Sequence, residues 1–292
     1  MRINTNVSSM IAIENGTLNS ALSSKSLEKL SSGLRINKAS DDASGLAIAD
    51  KLRTQKNSLI QSSNNANSAI ALLQITDKAM AEQSNILDIV KTKLLQGATS
   101  TTSDSGRESI AKDIHKLLNQ FDGIAEQTNY NGISLLQEST SSKDAANALV
   151  FQIGETENNT ISTSSDVRAN TQGVGRVSAF NSLGTLKTDT ENDGSNLTTA
   201  KSTQYLEVVD LALTQLNAMR SDTGSTQSQI ESSLRNILTA TTNIAAAESV
   251  IRDVDYAQET ANFNKHSIIG NAATYAQTQA NALPDDVLKL LN

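Results

Sequence analysis

No cysteine, no tryptophan and a single proline occur among the 292 residues, and aromatic residues make up only 3%. Without cysteine there is no disulfide, no thiolate nucleophile and no thiolate-held metal, a usage that fits an oxidising exterior without requiring one. Aromatic side chains bury the most area per residue, so their scarcity excludes a thick aromatic core and favours many small aliphatic contacts between long helices packed side by side. The near absence of proline removes the residue that breaks helix interiors at a cost of about 3 kcal/mol, which permits unusually long helices. A basic balance is missing too. The formal net charge of −7 argues against nucleic-acid and anionic-membrane partners, since both need a positive face. No apolar run reaches the roughly eighteen residues of a membrane span. The opening segment MRINTNVSSMIAIENG has no basic stretch followed by a continuous apolar core, so export, if it occurs, is not expected to use a cleaved signal peptide.

What is present is heptad order. Leu52, Leu59, Ala66, Leu73, Met80, Leu87 and Leu94 follow one another at intervals of seven, the spacing that keeps one stripe on one side of a supercoiled helix. A helix over this span is roughly 65 Å long at the usual rise per residue. Ser40, Asp41 and Asp42 are placed to cap its start, and Gly97 with the polar run to Gly106 to end it. A second helix carries Ile110, Ile114, Leu117, Phe121 and Ile124, and is short enough to fold back on the first. Tyr130-Asn131-Gly132 predicts a turn. Leu149 to Ile153 and Thr160 to Thr163 read as a small β-hairpin. From Phe180 to about Ala200 the chain is polar and aperiodic, which predicts a loop or vestigial insertion. A third long helix runs from Tyr205 to Ile251 on a 4, 3 spacing diluted by Thr223, Thr226 and Ser233.

Both ends are amphipathic. Ile3, Val7, Ile11, Leu18, Leu22, Leu27, Leu30 and Leu34 make an interrupted helical pattern, while Ile269, Ala273, Ala276, Ala280, Leu283, Val287 and Leu290 hold a 4, 3 rhythm. The two ends can pair, but so few aliphatic contacts fall short of the entropy of ordering both segments. The ends are therefore expected to become ordered when neighbouring subunits bury the remaining apolar face, as in coupled folding and binding.

Catalytic and cofactor chemistry has little support in the residues. His115 and His266 lack companions at metal-ligand spacing and read as solvated helix faces. Asp41-Asp42 could serve acid–base chemistry but reads better as a cap. Gly173-Val174-Gly175 lacks the third glycine and following helix of a nucleotide loop. No nucleophile, base and orienting partner occur together, so neither an enzyme nor a cofactor is expected. The serines and threonines between Glu155 and Ala200 read as a solvated surface, with O-linked glycosylation as the sharper alternative.

The segment Leu30 to Asp50, LSSGLRINKASDDASGLAIAD, closely resembles the N-terminal signature of bacterial flagellins. The resemblance continues through Asn64 to Asn67, through Gln127 to Gly132, through Ala246 to Ala261 (AAESVIRDVDYAQETA) and through Ala276 to Leu291 (AQTQANALPDDVLKLL), leaving Val177 to Ala200 without a counterpart. It implies a mainly α fold, a long coiled-coil helical bundle with a small β-hairpin, whose chain termini form an additional two-helix layer. The expected division is residues 1–41 with 253–292 as an inner layer, 42–176 with 201–252 as a surrounding layer cored by Leu52, Leu59, Leu73, Met80, Leu87 and Leu94, and 177–200 as a residual variable loop. In the expected assembly Ile3, Val7, Ile11, Leu18 and Leu22 pack with Leu283, Val287 and Leu290 along an inner tube, and polar faces line a channel for later subunits.

The resemblance further implies a helical homopolymer for swimming, without large outer domains, extracellular after type III export, and partnered by an export chaperone and by flagellar cap and hook-associated proteins. A hook-filament junction protein and a secreted coiled-coil adhesin or membrane-inserting translocator are the alternatives. Flagellins recognised by Toll-like receptor five tend to place Arg at the position of Ile89, Leu at that of Lys93 and Glu at that of Asp113. Loss of a bidentate donor and the desolvation of a lysine imply weak or no recognition here.

Overall fold

The computed structural model describes residues 5–138, 148–163, 167–171, 178–191 and 197–291, with 178–179 and 283–291 described as backbone alone. Its helices are α1 (Val7–Ser32), α2 (Ala43–Ala98), α3 (Asp104–Gln127), α4 (Ser178–Glu191), α5 (Thr199–Arg252) and α6 (Tyr256–Leu291). Two antiparallel pairs of short strands join β1 (Asn129–Tyr130) to β2 (Ile133–Ser134) and β3 (Val150–Gln152) to β4 (Thr160–Ser162). No helix of the described residues is long and apolar enough to cross a membrane.

The chain divides into two compact units, Met1–Asn57 with Thr241–Asn292 and Ser58–Ala240. The division falls inside α2 and α5. Both helices run without a break through the points of division, because their 3.6-residue periodicity does not pause there.

The unit of residues 58–240 holds the aliphatic core. Along α2 the heptad residues Ala66, Leu73, Met80, Leu87 and Leu94 are buried, and Leu59 packs half-buried beside them. Against Met80, Leu87 and Leu94 lie Ile110, Ile114, Leu118 and Phe121 of α3 and Val209, Ala212 and Leu216 of α5. A second cluster gathers Leu73 with Leu135, Ile153, Ile230 and Ile237, and the hairpin residues Phe151 and Ile161 rest on it. Phe151 stands opposite Ile161 in the β3–β4 register, so one apolar pair turns the hairpin face inward. Ser103 caps α3, accepting a hydrogen bond from the Gly106 N–H at 3.2 Å.

Residues 180–200 are not a loop throughout. Residues 178–191 form α4, and Phe180, Leu183 and Leu186 are fully buried, with the Phe180 ring 6.0 Å from that of Phe121. Three apolar residues among Thr, Asn and Asp make too short a stripe to register as periodic. Tertiary packing supplies what local propensity does not.

Polar contacts deep in this unit fix α4 and the strap of residues 167–171. Asp122 on α3 accepts from the backbone N–H of Thr171 at 2.7 Å, from the Thr171 hydroxyl at 2.6 Å and from Lys187 of α4 at 2.6 Å. Gln83 donates to the carbonyls of Phe121 and Ala169 from the middle of α2. At the far end of α4, Asp189 accepts from Lys201 and from the Tyr205 hydroxyl. Burial and this carboxylate push the Tyr205 phenol up to about 12.

Candidate functional site

The unit of residues 1–57 and 241–292 is built differently. Asn6 opens α1 by accepting from the Ser9 N–H at 3.1 Å, and its side-chain amide donates to the Ala280 carbonyl of α6 at 2.7 Å. From there α1 and α6 run antiparallel. A Cβ placed on Gly16 would stand 3.6 Å from that of Ala273, Asn19 Oδ1 lies 3.2 Å from His266 Nδ1, and Lys29 pairs with Glu259 at 3.7 Å. The residues buried along this pair are small or polar: Ser9, Ser26, Ala280 and Glu259.

Most of the large apolar side chains on these two helices are exposed instead. Val7 is 59% exposed, Leu18 58% and Tyr275 of α6 78%, and Met10, Ile11, Ile13, Leu27 and Ile268 are exposed as well. Leu22 sits at the margin, at 37%. Val7, Ile11 and Leu18 therefore stay largely exposed beside α6. Small residues let the two backbones approach closely, and the close approach turns the bulky stripe outward. Ile3 lies outside the described residues, as do the side chains of Leu283, Val287 and Leu290.

The connections flanking α1 and α6 are tied to each other. Gly33 ends α1 at φ 73°, a left-handed cap that suits glycine, and its N–H donates to the Lys29 carbonyl. Leu34 bridges Asp253, the Arg35 N–H donates to the Arg252 carbonyl at 2.7 Å, and the Val254 N–H to the Gly33 carbonyl at 3.0 Å. The Asp41 carboxylate gathers Lys25 at 2.9 Å and the backbone N–H groups of Lys38 and Asn37, and these donors, Lys25 foremost, hold its pKa at about 2. Asp42 accepts from the Gly45 N–H at 2.9 Å and so caps α2. In the same unit Leu52 is half-buried on α2, and Lys56 is paired with Glu248 across to α5.

His115 and His266 are half-buried instead of fully solvated, the first 3.3 Å from the Lys187 carbonyl and the second against Asn19. Among the described residues no group of His, Asp and Glu could hold a metal ion. Gly173-Val174-Gly175 lies outside the described residues. On α2, Ile89 is exposed, and Lys93 is paired with Asp113 of α3 at 2.9 Å, which lowers the Asp113 pKa. The network of Asp122, Thr171 and Lys187 and the buried Gln83 and Arg168 were not legible in the sequence, because their partners lie far along the chain.

A helical unit with a buried aliphatic core and a second unit of paired terminal helices with mostly exposed large apolar side chains define a protein made of long helices. Residues 3–141 match the bacterial flagellin N-terminal helical region, and residues 206–291 match the C-terminal helical region. Flagellin of Bacillus subtilis (strain 168) is 36% identical over 303 aligned positions that cover all of both chains. The flagellar filament 30.7 kDa core protein of Treponema maltophilum is 32% identical, also over the whole of each. The crystal structure of Bacillus cereus flagellin matches at 25% identity with a TM-score of 0.47, over 63% of this chain and 94% of that one. The chain belongs to the bacterial flagellin family. It is a structural subunit that polymerises into the flagellar filament and serves motility, and the junction and adhesin readings are not favoured.

Proposed function

We propose that polymerisation runs through the outward apolar stripes of α1 and α6, carried by one observation: Val7, Ile11 and Leu18 stay exposed although a partner helix lies alongside them. Burying each such side chain contributes about 1.5–3 kcal/mol. Neighbouring subunits provide that burial, so the ends order as the polymer grows. Negative-stain electron microscopy after salt-induced assembly tests this, comparing the whole chain with one lacking Met1 to Leu34 and Asn264 to Asn292. Long filaments from the whole chain and none from the truncated one are expected; filaments from both would refute the role of the ends.

The subunit is extracellular, exported by the flagellum's own type III apparatus with a chaperone, and meets cap and hook-associated proteins at the ends of the polymer. Support for this comes from family membership. Toll-like receptor five recognises it weakly or not at all. Ile89 offers no guanidinium where recognised relatives carry Arg, and Lys93 and Asp113 satisfy each other. A reporter-cell response equal to that of an enteric flagellin would sink this reading. Any O-linked sugar on the threonines and serines between Glu155 and Ala200 would show as excess intact mass.

A further inference from the structure

Two Asn-Gly pairs stand in the described residues, and the fold treats them differently. Asn15-Gly16 lies inside α1, where Gly16 faces Ala273. Asn131-Gly132 forms the turn between β1 and β2, with both residues exposed and at positive φ, 51° and 82°. This is the left-handed geometry of a two-residue hairpin turn, for which Asn-Gly is the favoured pair. A Cβ on Gly132 would meet nothing within 4 Å, so the backbone there is open on its outer side. No hydrogen bond of the Asn131 side chain occurs among the described residues. The ladder beneath the turn has two rungs, Asn129 with Ser134 and Tyr130 with Ile133. So short a ladder opens locally at little cost.

An asparagine amide is open to attack by the backbone nitrogen of the next residue. A side chain on that residue crowds the approach, and glycine has none. Attack requires Asn131 to leave the left-handed region, which opening of the ladder allows.

We propose that Asn131 is a self-modification site. The Gly132 nitrogen bonds to Asn131 Cγ and closes a five-membered succinimide, while the side-chain nitrogen leaves as ammonia and carries away the Gly132 amide proton. Water then adds to one of the two ring carbonyls and opens the ring to aspartate or isoaspartate. No oxidant, reductant or enzyme is needed. Aspartate keeps the turn, since it tolerates positive φ, and adds a negative charge to the surface. Isoaspartate lengthens the backbone by one methylene and breaks the pairing of Tyr130 with Ile133, beside the buried Leu135 and Leu136. Each copy thus carries a one-way record of its age at this turn.

The test is to incubate the full chain in warm, mildly alkaline buffer, folded and in denaturant, and to follow Asn131 by peptide mass mapping with an isoaspartate assay. Conversion at Asn131 in the folded chain should stay within about thirtyfold of the rate in denaturant, since opening of so short a ladder costs far less than global unfolding. Asn131→Gln should remove the signal, and Gly132→Ala should slow it in denaturant, where no folding effect intervenes. A deeper suppression in the folded chain, or a signal that survives Asn131→Gln, would overturn the proposal.

Discussion

Phe121 and Leu18 are both large, apolar and helical, yet the first is completely buried and the second is more than half exposed. They stand for the two units. In residues 58–240 the apolar stripes of α2, α3 and α5 meet one another in a continuous buried core, although single residues such as Leu95 and Leu211 stay exposed. In the unit made of the termini, two helices meet through Ser9, Ser26, Ala280 and Glu259 and leave their bulky stripes unpartnered. The contrast separates stability from the proposed route of assembly: the first unit's buried residues hold the monomer together, and the second's exposed stripes are the surfaces proposed to meet other copies.

Substitutions that respect this division should have separable effects. The largest is expected at the buried core. Phe121→Ala should destabilise the monomer by about 3–5 kcal/mol in urea unfolding, through lost burial plus the cavity left behind. Asp122→Ala should cost a comparable amount, about 3 kcal/mol, because it strands Lys187 and two Thr171 donors in a dry setting. Leu18→Ala should change monomer unfolding by less than about 0.5 kcal/mol. The same substitution should raise the critical concentration for filament growth by about tenfold or more, read by sedimentation, since each buried aliphatic side chain contributes more than the 1.4 kcal/mol of a tenfold change.

Smaller effects come from the connection between α1 and α2. Gly33→Ala places a Cβ 3.0 Å from the Tyr256 hydroxyl at a left-handed position and should cost about 1 kcal/mol, visible as lower helicity in assembled protein. The smallest is the acid response of Asp41. Its folded pKa of about 2 lies below the ordinary 3.8, so its contribution is present at neutral pH and is lost as pH falls from about 4 through about 2. Asp41→Asn should flatten that part of the acid-unfolding curve, and an unchanged curve would show that the Lys25 contact does not matter to stability.

The long helices were legible because heptads and 4, 3 spacings recur along most of their length, and the Asn-Gly turn because positive φ suits those residues. Helix α4 was not, since three buried residues amid polar ones gain their stability from Phe121 and its neighbours, not from local order. The orientation of α1 against α6 was half legible. Sequence marks Val7, Ile11, Leu18 and Leu22 as one stripe, but periodicity does not say whether a stripe faces the chain's own partner helix or another copy. The small residues Ser9, Gly16 and Ala273 mark the side on which the two helices meet, and they become informative once the helices are seen side by side.

Amide hydrogen exchange on the monomer and on the assembled filament tests the account most directly, read over Val7–Ser32 and Tyr256–Leu291. Fast exchange in the monomer, slowed by about a hundredfold or more in the filament while the core of residues 58–240 stays protected in both, is the expected result. Equal protection of the terminal helices in the two states would contradict the claim that subunit contacts order them.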